Sequence, residues 1–250
     1  MNFKAISLSL AVALTTATAV YALTNRISID RTDTQICVLS NGIPDHPTGR
    51  FPNAGNPHSI SAQNVSVCVT ATPEKSTKAQ EVNVTGILKN GILVRPGTAD
   101  WYDASSPRGH SRDDASGWNL DGMGPNNTLG LDENNAHVDH RGLYHYHGMP
   151  EALSPTSAHT QIGWAADGFP IHYVGTSAMP SYMLKSGTRN SAPFGAYDGS
   201  YNQDFEYQRG SGNLDKCNGA LLDGNYVYFA TDSYPYFPRC LYGTDITKIR

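Results

Sequence analysis

Tyr144, His145, Tyr146 and His147 alternate within the run GLYHYHG at 142–148. On an extended strand successive side chains point to opposite faces, so the two imidazoles share one face, roughly 6 to 7 Å apart at Cβ, and the two phenols share the other. A helix would set the same histidines about 200° apart and separate them. The chemistry this pattern permits is metal coordination, because neutral imidazole suits Zn²⁺ and Cu²⁺ and a strand holds two such ligands rigidly. A third ligand is needed. Five of the nine histidines fall within 23 residues, namely His137, His140, His145, His147 and His159. His137 is the first choice, since a short loop at 139–142 would fold it back beside the strand; His159, His172 and Glu151 follow. A fourth position left to water would serve hydrolysis, whereas one filled by Met149 or an oxygen would suit copper handling.

Other residues near this run carry weaker expectations. Asp167, in the turn AADGFP, is expected to cap that turn, with orientation of a ligating imidazole or general-base chemistry as its functional alternatives. Trp164, Tyr144 and Tyr146 are expected to support the site or line its pocket. A reading of a different class is an extracellular glycan- or peptide-binding module without metal chemistry, in which Trp101, Trp118, Trp164 and the many tyrosines act as stacking platforms. The loop 103–135, with Asp103, Asp113, Asp114, Asp121, Asp132 and Glu133, is oxygen-rich but lacks EF-hand spacing, so calcium is disfavoured beside zinc or copper.

The elements that must position these residues are mainly strands. Residues 1–22 read as a secretory signal peptide: Lys4 precedes an apolar stretch at 5–14, and small residues follow at Ala17, Ala19 and Ala22. The stretch is too short to span a bilayer and no later one comes close, so a secreted or periplasmic protein without a membrane span is expected. Net charge is -4 and Lys and Arg are scattered, which argues against nucleic acid. Charged residues make up only 16 % of the chain, with 24 Gly, 15 Pro and 14 Tyr; this composition predicts a single compact, loop-rich, mainly β domain at 23–250 with little helix. Cys37, Cys68, Cys217 and Cys240 allow three pairings, and proximity favours Cys37 with Cys68 and Cys217 with Cys240.

Strand-like runs occur at 35–39, 64–71, 80–88, 91–95, 143–147, 160–164, 170–174 and 225–230. Lys89-Asn90-Gly91 predicts a hairpin with a primed turn, and Ala178 to Lys185 is the one short helix expected. A pseudo-duplication is also expected, with repeat-like halves around 131–147 and 214–229. Leu131, Asp132, Asn135, Ala136, Gly142, Tyr144 and Tyr146 align with Leu214, Asp215, Asn218, Gly219, Gly224, Tyr226 and Tyr228. The tyrosines repeat and the histidines do not, so the tyrosines and the Asp turn read as scaffold.

Long motifs then carry a family resemblance. NGIPDHPTGRFPNAGNPHSI (41–60), LKNGILVRPGTADW (88–101), NNAHVDHRGLYHYHGMP (134–150), GWAADGFPIHY (163–173), LDKCNG (214–219) and YPYFPRC (234–240) together resemble the YHYH-domain family of secreted proteins. The resemblance spans essentially all of 23–250 and implies no activity, since the family name records a motif. His140 occupies a position outside that pattern, which makes it a poor ligand candidate.

Overall fold

Val65, Val67 and Val69 turn one face of strand β3 (Val65–Thr70) inward. It pairs antiparallel with β2 (Gln35–Ser40), and β1 (Ile27–Arg31) completes a three-stranded sheet. In this computed structural model residues 23–153 and 160–249 are described, so the expected signal peptide at 1–22 and His159 lie outside the described residues. The later strands are β4 (Lys75–Glu81), β5 (Gly86–Leu88), β6 (Leu93–Val94), β7 (Trp101–Tyr102), β8 (His110–Ser111), β9 (Ala136–Val138) and β10 (Tyr144–Tyr146). They continue with β11 (Thr160–Ala165), β12 (Pro170–Tyr173), β13 (Tyr182–Leu184), β14 (Phe205–Tyr207), β15 (Gly219–Leu222), β16 (Asn225–Ala230) and β17 (Cys240–Gly243). Helix among the described residues is limited to short 3-10 turns at Glu151–Leu153, Gly175–Ser177 and Asn202–Asp204.

Eight strands form one mixed sheet in the order β15, β16, β12, β11, β5, β6, β10, β9. The three-stranded sheet packs on the middle of one face, where Ile36, Val38 and Val67 meet Ile87, Leu93 and Trp164. The other face carries Leu88, Tyr144, Tyr146, Ile171 and Tyr228, packed with Phe237 and Leu241. Full burial of side chains of this size contributes about 1.5–3 kcal/mol each, so the mainly β fold rests on two apolar layers over one sheet. Disulfides join Cys37 to Cys68, which face each other in the β2–β3 register, and Cys217 to Cys240.

Matching contacts occur in the two edge hairpins of the large sheet. Asp132 Oδ1 accepts from Asn134 N and Ala136 N while Tyr144 OH donates to Oδ2 at 2.7 Å. Asp215 Oδ1 accepts from Cys217 N and Gly219 N while Tyr226 OH donates to Oδ2, again at 2.7 Å. Asn135 and Asn218 both adopt left-handed φ values, 54° and 61°, a conformation that Asn tolerates better than most residues. Where β9–β10 presents His137, His145 and His147, β15–β16 presents Ala220, Val227 and Phe229, which pack with Ala178 and Leu214. One flank of the face is therefore polar and the other apolar.

Three local expectations need correction. The Asn-Gly hairpin joins β5 to β6, but Gly91 alone has positive φ (81°), with Gly91 N donating to Leu88 O and Leu88 N to Ile92 O, both at 2.9 Å. That is an ordinary turn followed by a left-handed glycine bulge, which closes a hairpin without the primed geometry. The stretch Ala178 to Lys185 is not a helix: Tyr182–Leu184 pairs with Phe205–Tyr207, and Pro180 disfavours helical backbone at Met179. The run 80–88 splits between two sheets, since β4 pairs with β17 and β5 with β11. Gly86 permits the second pairing, because a Cβ there would lie 2.1 Å from the Trp164 carbonyl oxygen.

Candidate metal centre

The register of β9 on β10 sets His137 directly opposite His145. His147 follows on the same face, its backbone N donating to Asn135 O at 2.8 Å. The three rings form a compact cluster, with centroid separations of 4.7 Å (His137–His145), 4.9 Å (His137–His147) and 5.0 Å (His145–His147). One ring nitrogen from each lies within 4.8 Å of the others. Among the described residues this is the one group of three or more His, Cys, Asp or Glu side chains with converging ligand atoms.

Hydrogen bonding fixes which nitrogens are free. His145 Nδ1 lies 3.1 Å from Leu143 O and His137 Nδ1 lies 3.0 Å from Leu129 O. A carbonyl oxygen only accepts, so both Nδ1 atoms carry the proton. The amide group of Asn56, 3.1 Å from His137 Nδ1, does not compete, because its hydrogens go to Val138 O at 2.8 Å and Leu129 O at 3.4 Å. Both Nε2 atoms are then bare lone pairs, and they face each other at 3.1 Å. Two lone pairs at that distance repel unless a cation lies between them. Ligands about 2.0–2.1 Å from a shared tetrahedral ion sit about 3.3 Å apart, close to the observed separation. His147 adds two buried nitrogens without a hydrogen-bond partner.

Electrostatics act in the same direction. Burial holds the pKa values of His145 and His147 well below the ordinary imidazole value, and neighbouring basic groups including the Arg95 guanidinium push them the same way. Burial also lowers His137. Neutral imidazole is the ligating form, so the donor set fits Zn²⁺ or Cu²⁺. The His147 ring is held from behind by Gly122, where an added Cβ would lie 2.5 Å from Nδ1. In front of the cluster opens a cavity of about 500 Å³ whose walls include Asn56, His58, Arg95, Arg108, His110 and Arg112. His140 sits on the same wall and is exposed.

The remaining site expectations fall elsewhere in the sheet. His172 is on β12, four strands away from β10, beside Phe229 at 6.5 Å. Asp167 is fully buried and accepts from Tyr228 OH, Gly243 N and Phe169 N, so it caps its turn and ties down β17. Glu151 is exposed in a 3-10 turn, and Trp164 is buried against the three-stranded sheet. Tyr144 and Tyr146 point into the opposite core, as the alternation requires; Asn90 Nδ2 donates to Tyr146 OH at 2.9 Å. Met149 packs in that same core. Trp118 and Trp164 are both buried, which removes two of the three tryptophans from the proposed stacking platforms. In 103–135, Asp103, Asp113 and Asp121 are engaged separately, with Ser105, Ala115 and Arg239.

Asn56, Arg95, Arg108, Arg112 and Gly122 were not reached from the sequence. Arg95 alone left a signal, since it continues the alternation of Leu93, the partner of His145 in the β6–β10 register.

The sequence profile described as YHYH protein matches residues 66–243. The chain belongs to this family. The YHYH match runs from β3 to the last residue of β17, so it covers the whole eight-stranded sheet, all three clustered histidines and the Cys217–Cys240 bridge. Cys37, β1 and β2 precede it. Comparison of the YHYH chain with curated proteins and with solved structures gave no match.

Proposed function

We propose that this YHYH protein is a secreted metal-binding protein in which His137, His145 and His147 hold one Zn²⁺ or Cu²⁺ ion at the back of the cavity, and that its chemistry is metal-dependent hydrolysis. The observation that carries this reading is the pair of bare Nε2 atoms facing each other at 3.1 Å. The carbonyls of Leu143 and Leu129 orient the two rings, Gly122 backs the third, and burial keeps all three neutral. A divalent ion in such a donor set lowers the pKa of a bound water toward about 7 and supplies hydroxide at neutral pH.

Two features favour hydrolysis over copper handling: the cavity reaches the histidines, and Met149 is committed to the core. Secretion is supported by the signal-like N-terminus, by two disulfides, and by the lack of any described helix long and apolar enough to cross a membrane. The matched hairpins fit an internal duplication whose first copy alone carries ligands. Protein made without a polyhistidine tag is expected to bind about one ion per chain by elemental analysis. His145→Ala and His147→Ala should abolish uptake, and His140→Ala should retain it. A folded protein that takes up no added Zn²⁺ or Cu²⁺ would refute the reading and leave a glycan- or peptide-binding module as the better one.

A further inference from the structure

The cavity in front of the histidines has a charge pattern that the three ligands do not use. Its walls carry three guanidinium groups, Arg95, Arg108 and Arg112, and two carboxylates, Asp100 and Asp139. Asp139 is already engaged, whereas Asp100 meets only a histidine nitrogen that makes no hydrogen bond to it. Asp139 Oδ2 lies 3.1 Å from Arg95 Nη1 and 3.6 Å from Arg141 Nη2, and its Oδ1 accepts from Arg141 N and Leu143 N. Asp100 Oδ2 lies 3.5 Å from His110 Nδ1. Arg108 and Arg112 form no ion pair among the described residues. They flank β8, whose His110 also lines the cavity.

Two guanidinium groups, Arg108 and Arg112, thus line the same cavity without an ion-pair partner among the described residues. Positive charge focused in a cleft raises the local concentration of anions, and the planar guanidinium fork matches carboxylate and phosphate oxygens. The volume, about 500 Å³, is that of a small-molecule pocket and not of a macromolecular groove. Asn56 and His58 line the same cavity, and Asn56 Nδ2 lies 3.1 Å from His137 Nδ1.

Resting on the three-histidine reading, we propose that the cavity binds a small ligand bearing an oxyanion group, a carboxylate or a phosphate, with Arg108 and Arg112 gripping that group while the rest of the ligand extends toward His137, His145 and His147. The test is calorimetric titration of the zinc-loaded protein, and of the metal-free protein, with inorganic phosphate and separately with succinate. The two titrants distinguish the oxyanion sources. The double variant Arg108→Gln/Arg112→Gln, both positions being exposed and outside the core, should bind the preferred anion roughly tenfold or more weakly. It should take up zinc like the wild type. The wild-type anion affinity should also fall with added salt.

Equal anion affinity in the wild type and the double variant would overturn the proposal. So would absence of binding by both anions at millimolar concentration in a protein that still takes up zinc. Arginine-dependent anion binding in a protein that fails to take up zinc would uphold the oxyanion site and refute the metal centre instead.

Discussion

Gly122→Ala puts a methyl group where the His147 ring now rests. The new Cβ would lie 2.5 Å from His147 Nδ1, against an ordinary contact of about 3.5 Å. Gly122 is not in the left-handed region, so alanine suits the backbone and the whole conflict falls on the ring. His147 is 2 % exposed, and relief comes only by moving its ring off Gly122, toward the cavity that it lines with His137 and His145. The ring must give by about 1 Å, several times the roughly 0.2 Å that metal-ligand distances tolerate. We therefore expect Zn²⁺ affinity to drop about 10- to 100-fold, or about 1.4–2.8 kcal/mol, with an overpacking cost of about 1–3 kcal/mol in the metal-free protein. Gly97→Ala is the matched control: it lines the same cavity, and its Cβ meets nothing within 4 Å. Competition titration against a chelating indicator, with circular dichroism to verify folding, reads both variants. A folded Gly122→Ala protein with wild-type zinc affinity would show that the position of His147 does not matter to the ion.

Tyr144→Phe and Tyr226→Phe each remove a 2.7 Å hydrogen bond to a carboxylate. Each should cost about 1.5–3 kcal/mol in urea unfolding, with additive losses in the double variant, and a large inequality would separate the two hairpins energetically. In metal-free protein the buried histidines have pKa values below the ordinary 6.5. The unfolded chain therefore takes up protons first, and stability present above about pH 6.5 is lost as pH falls below it. The wild-type urea midpoint should therefore fall relative to that of His147→Leu as pH is lowered below about 6.5, and a difference independent of pH would contradict this. The same shifts let zinc binding persist to lower pH than free imidazole would allow, which titrations at pH 7 and pH 5.5 would reveal. Reduction should lower the melting temperature markedly, since bridges spanning 31 and 23 residues contribute roughly 3 to 4 kcal/mol each.

Much of the strand pattern was legible because period-two alternation survives in the sequence: 64–71 became Val65–Thr70, and 225–230 became Asn225–Ala230. The helix expected at 178–185 failed because a short polar-apolar mixture around Pro180 has no strong period, and pairing with Phe205–Tyr207 decided it. His145 and His147 were legible as a pair from spacing alone, and His137 from loop length. Their surroundings were not. Gly122 and Asn56 act through contacts made across 25 and 81 residues of chain, and no local pattern encodes an approach of that kind. His172 was drawn in by sequence proximity and lost because the strand order inserts β11, β5 and β6 between β12 and β10.

The strand that carries His137 is the last in its sheet. A terminal strand is a template for unwanted pairing with another chain, and proteins guard such strands with side chains that occupy their free backbone groups. Here the guard is Asn56, which donates to Val138 O while its neighbouring contact lies on the His137 ring. An ion shared by His137 and His145 would cross-link β9 to β10 and act as a rivet at this border. Loss of the ion would then be felt first as fraying and self-association at the sheet margin, well before cooperative melting of the tyrosine core.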